Sequence, residues 1–117
     1  FVALGADPAA WDVALVAPAL AIGWLAQVVI GSWTHLLPAI GPGDPTAHAH
    51  QRALLGRGAT ARIAGLDAGA ALATAGVIAD APFLVTAGLA IAGATVLVAL
   101  ALFAAAARVG VTTLRAN

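Results

Sequence analysis

The sequence contains no cysteine, which excludes disulfides, thiolate metal sites and a cysteine nucleophile from this segment. Methionine is missing as well, even at position 1, so a fragment of a longer chain or a processed product is expected. There is no lysine and no glutamate, which leaves five arginines and five aspartates as the charged complement, 9% of 117 residues with zero net charge. Soluble domains carry about 25% charged residues, and so few charges cannot clothe the surface of a water-soluble domain of this length. The balance offers neither a basic surface for nucleic acid nor an acidic solvating tail. No nucleic-acid partner is expected.

What is present is apolar: 62% of the residues are hydrophobic and the mean hydropathy is +1.02. Alanine, valine and glycine supply much of this, a bias of the kind GC-rich genomes produce. Three stretches are long and apolar enough to cross a bilayer, whose hydrocarbon core is about 30 Å thick. The first covers residues 11–37, with Asp12 and His35 as its ionisable members; Pro18 is its expected kink, and Pro38 with Gly41-Pro42-Gly43 its stop. The second, 63–79, is short and holds Asp67; the third, 83–107, holds no charge. The first stretch reads better as a spanning helix than as a signal peptide, because Asp7 and Asp12 stand where a basic region belongs. The expected fold is therefore all-α: a single transmembrane domain over residues 1–117, three helices running up, down and up, taken from a larger polytopic protein.

Charge orients this bundle. Arg52, Arg57 and Arg62 lie in the connection 40–62 and Arg108 and Arg115 follow the third stretch, so with three spans all five share a side. Asp7, Asp12 and Asp80 take the other; Asp44 shares the arginine loop, but acids count for little in this rule. Two spans would split the arginines. The positive-inside rule then puts the amino terminus outside and both the 40–62 connection and the carboxyl terminus in the cytoplasm of a multi-pass plasma-membrane protein. Trp11 and Trp33 suit the two interfaces. Within the connection, residues 46–56 fit a short interfacial helix with Leu54 and Leu55 dipping into the bilayer, and the arginines set topology and touch anionic head groups.

Small and polar residues mark helix faces. Gly23, Gln27, Gly31 and His35 recur every four residues along one stripe. Gly65 and Gly69, extended by Ala73 and Gly76, form a second stripe, and Gly88, Ala92, Thr95 and Ala99 a third; such faces serve close helix packing. Asp67 lies nearly opposite the second stripe, in line with Ala71 and Thr74, at a depth that brings it within reach of Gln27 or His35. Arg62 is about 140° round the helix from it, so the head groups are its expected partner.

His35 is either a polar group on a packing face or a metal ligand, haem ligand or proton carrier. His48 and His50 form an HxH pair that could share a metal, yet no third ligand stands nearby in sequence, and a solvated loop is the plainer reading. No Ser/His/Asp set, carboxylate pair, phosphate loop or dinucleotide fingerprint is present, so the segment holds no self-sufficient active site.

The run Gly23-Trp24-Leu25-Ala26-Gln27-Val28-Val29-Ile30-Gly31, continued by Thr34-His35-Leu36-Leu37-Pro38 and the Gly41 turn, resembles a helix found in membrane domains fused or linked to actinobacterial multicopper oxidases of the copper nitrite reductase type. A looser likeness extends to haem-copper oxidase and nitric oxide response membrane proteins. It covers about residues 11–79. The resemblance implies a membrane anchor that is also part of an electron-transfer path, with copper or haem in the complete protein and with the bilayer and further transmembrane helices as partners. In that family one or more histidines precede the Gly-Trp pair, whereas residues 17–22 here carry none; the likeness thus implies a place in such a protein more than a ligand site. The alternative is a structural membrane subunit or small transporter fragment with no redox role.

Overall fold

A computed structural model describes residues 13–116 of the chain; the expectations placed on Asp7, Trp11 and Asp12 lie outside the described residues. Every element among them is helical: α1 (Val13–Leu20), a π-helical stretch (Ala21–Ala26), α2 (Gln27–Ile40), α3 (Pro45–Gly56), α4 (Ala59–Ile78) and α5 (Pro82–Ala116). Three helices are long and apolar enough to cross a membrane, Val16–Ile40, Ala59–Ile78 and Pro82–Thr113.

The first span is continuous from α1 through α2. Pro18 lies inside α1, where it lacks an N–H and its ring crowds the carbonyl four residues back. The irregularity it introduces is the wider π turn that begins three residues later. Pro38 does not stop the helix. It sits buried in the last turn of α2, and the chain leaves the helix at Gly41, whose N–H still reaches the Leu37 carbonyl at 2.8 Å.

The connection 40–62 holds the short helix expected at 46–56, here α3, packed on protein rather than lying at an interface, and it ends early because α4 begins at Ala59 instead of residue 63. Asp44 caps α3 by accepting from the Ala47 N–H at 2.7 Å, and Pro45 occupies the first turn, where a missing N–H is harmless. Leu55 is 1% exposed and Ala47 2%, so Leu55 is buried against protein instead of dipping into lipid. The reason is the length of α5, which runs to Ala116 and not to residue 107. Its 35 residues make about 52 Å at ~1.5 Å each, so its last turns run on beyond the part paired with α4 and give α3 a wall to pack on. Arg108 and Arg115 therefore stand on a helix, both exposed, rather than in a tail.

α4 begins after Gly58, which is in the left-handed region at φ 64°, and is antiparallel to α5. At its end the Ala81 N–H returns to the Gly76 carbonyl at 2.8 Å while Asp80 takes φ 49°, the left-handed ending that helices commonly use. The two small-residue stripes meet here. A Cβ added to Gly69 would lie 2.8 Å from the Gly88 oxygen, one on Gly88 would lie 2.5 Å from the Ala73 nitrogen, and one on Gly65 would lie 2.5 Å from Thr95 Oγ1. Ala73, Ala92 and Ala99 are buried with them. Gly76 closes the pair against Val85. Without glycine at these points the backbones could not approach so closely.

Candidate functional site

The stripe on the first span faces α4. Gly23 makes ordinary contact with Ala70 (an added Cβ would be 3.4 Å from its Cβ). One turn on, the Gln27 side-chain amide donates to Asp67 Oδ1 at 2.5 Å. Beyond them a cleft of about 210 Å³ opens between the two helices, walled by Gln27, Gly31, Thr34 and His35 on α2 and by Arg62, Ile63 and Leu66 on α4. Gly31 thus differs from the packing role expected of it: nothing lies within 4 Å of a Cβ placed there, and it shapes the cleft rather than a contact. The Thr34 hydroxyl is spent on the Ile30 carbonyl of its own helix at 2.7 Å.

The pairing of Asp67 with Gln27 follows from antiparallel register, which sets the middle of α4 against the middle of the first span. Asp67 is nonetheless an exposed residue. A polar pair near the middle of two membrane-length helices, open on one side, is the chemical feature that distinguishes this chain from an inert bundle. It can accept a hydrogen bond from a further helix or from water at the edge of the cleft, which has room for several molecules.

Arg62 departs from its expected place at the head groups. It is 7% exposed and donates to the Leu55 and Arg57 carbonyls, each at 2.6 Å. These belong to the unsatisfied end of α3, which carries partial negative charge, and the planar guanidinium bonds two of them at once. The arginine holds α3 to α4. Arg52 and Arg57 remain exposed, and all five arginines collect at the end of the bundle where α3 sits, opposite the Asp80 turn.

His35 is exposed at the mouth of the cleft. Among the described residues no group of three or more His, Cys, Asp or Glu comes together that could hold a metal ion. The HxH pair falls on a helix, so its members point to different sides: His48 Nε2 meets the Gly41 oxygen at 3.1 Å, while His50 is exposed.

Sequence reasoning passed over Gln51. It is fully buried and its amide donates to the Ala106 carbonyl at 3.1 Å and the Pro42 carbonyl at 3.2 Å. It ties the end of the first span to α5 across Gly110, where any side chain would meet Pro42 and Gln51. Its Oε1 and the Thr74 hydroxyl find no partner among the described residues. The one available signal was the glutamine placed on the same face as Ala47 and Leu55 at four-residue spacing. No family model, curated protein or solved structure matches the chain.

Proposed function

We propose that the chain is the anchoring and assembly module of a larger membrane protein, set in the plasma membrane with its amino-terminal end outside and its arginine end in the cytoplasm. The observation that carries this reading is the exposed Gln27–Asp67 pair midway along two membrane-length helices. A carboxylate facing lipid at such depth costs on the order of 3 kcal/mol on insertion scales. That edge is therefore the seat of a further transmembrane helix of the same protein or complex. The first span supports the same reading, since none of its most apolar window is buried by the rest of the chain.

The likeness carried by residues 23–38 adds a specific form: the membrane module of a multicopper oxidase or nitrite reductase-like protein, placed beside its electron-transfer path. In that form His35 is a structural polar group and the copper or haem lies elsewhere in the complete protein.

Photo-cross-linking tests the proposal. A photoreactive residue at Ala71, exposed one turn from Asp67, should capture another transmembrane segment when the complete protein is irradiated in its membrane. Capture of lipid alone overturns the assembly role. Metal and haem analysis of the purified complete protein tests the redox form: bound copper or haem that survives His35→Ala supports it, and absence of both removes it while leaving the anchor.

A further inference from the structure

We propose that the chain holds an anionic phospholipid, with one acyl chain in the groove between the first span and α5 and its phosphate at Arg108. The site rests on the three-span membrane reading but uses a different surface from the Gln27–Asp67 edge.

The groove has a volume of about 670 Å³ and is apolar on both walls, Leu25, Val29 and Trp33 facing Val96, Leu100 and Phe103. It exists because α5 packs on α4 and α3 and leaves the first span beside it largely uncovered. Its extent decides between occupants. The first-span wall runs from Ala21 to Leu37, about 24 Å of helix, and the α5 wall from Val96 to Ala107, so the groove is walled on both sides for about 16 Å, whereas a transmembrane helix needs a path through the whole core of about 30 Å. About 16 Å matches one leaflet. That leaflet is the one next to the arginines, because Val96 already lies past the middle of the stretch of α5 that pairs with α4.

The head-group end supplies the complementary charge. Leu100, Ala104 and Arg108 follow one another at four-residue intervals, so Arg108 stands on the groove-lining face one turn beyond Ala104. Arg115 continues the same face two turns further on. Both are exposed and free to reach a phosphate, whereas Arg62 is committed to backbone carbonyls. Asp44, the acid at this end, is held by the Ala47 N–H. Trp33 lines the groove near its charged end and is 52% exposed, where its indole suits the interface between acyl chains and head groups.

Native mass spectrometry of the complete protein, released from bilayers of equal phosphatidylglycerol and phosphatidylcholine, tests this. The wild type should retain one phosphatidylglycerol in preference to phosphatidylcholine. Arg108→Gln should lower that preference roughly fivefold, the effect of one arginine near an anionic surface, while still retaining a lipid through the groove. Ala104→Phe, at an exposed groove position, should lose both lipids, and Arg52→Gln, at an exposed position of α3, should change nothing. Equal loss from Arg52→Gln and Arg108→Gln, or full retention by Ala104→Phe, overturns the site while leaving the membrane module intact. A chain that does not enter the bilayer overturns both.

Discussion

Arg62 shows how one side chain can tie the end of a short helix to its neighbour. Its guanidinium satisfies two carbonyls at the end of α3, a charge-assisted arrangement worth about 1.5–3 kcal/mol per bond when the partners are buried. Arg62→Gln should therefore lower the thermal stability of the detergent-purified protein by about 2 kcal/mol or more, and Arg62→Lys should recover only part of it, because a point charge cannot bond both carbonyls in one plane. An unchanged melting temperature for Arg62→Gln would contradict the capping role. Asp67 lies five residues further along the same helix and behaves differently. Its bond to Gln27 can be kept by an amide, so Asp67→Asn should fold with a change of less than about 1 kcal/mol, the usual scale of interhelical hydrogen bonds in membranes. Loss of activity of the complete protein in that folded variant would assign Asp67 to proton exchange instead of helix contact.

Between elements, the glycines separate into two kinds that look alike in sequence. Gly31 and Gly88 both stand on small-residue stripes, yet a Cβ at Gly88 would strike the α4 backbone and one at Gly31 would meet nothing. Gly88→Ala should destabilise the α4–α5 hairpin by about 1–3 kcal/mol, since backbone cannot step aside as a side chain does. Gly31→Ala should be neutral or gain about 0.5–1 kcal/mol from helix propensity. The reverse order in chemical or thermal unfolding would show that the register between α4 and α5 is wrong. The three membrane-length helices, and a partner for Asp67 at either Gln27 or His35, were legible beforehand because four-residue spacing and depth along a helix are properties of the sequence itself; the structure selects Gln27. The packing of α3 was not, because it depends on α5 continuing past Ala107, and the mixture of Arg, Thr, Val and Gly in residues 108–116 does not announce a wall for another helix. Leu55 and Gln51 are equally silent: on an interfacial helix or a buried one they occupy the same face, and only the partner decides.

At the scale of the molecule, the principal extents of 61 × 26 × 18 Å describe an elongated body longer than the roughly 30 Å core of a bilayer, with the arginines and α3 at one end and the Asp80 turn at the other. This polarity is what the positive-inside rule acts on, and on the proposed placement the α3 end is cytoplasmic and the chain crosses three times. No cysteine among these 117 residues competes with one introduced into them. Three variants, His50→Cys, Ala79→Cys and Arg115→Cys, each at an exposed position, are treated in intact cells with a membrane-impermeant thiol reagent. The account predicts labelling at position 79 alone, with positions 50 and 115 protected until the membrane is opened. Labelling at 50 and 115 with protection at 79 would invert the orientation, and opposite results at 50 and 115 would show that the chain does not cross the membrane three times.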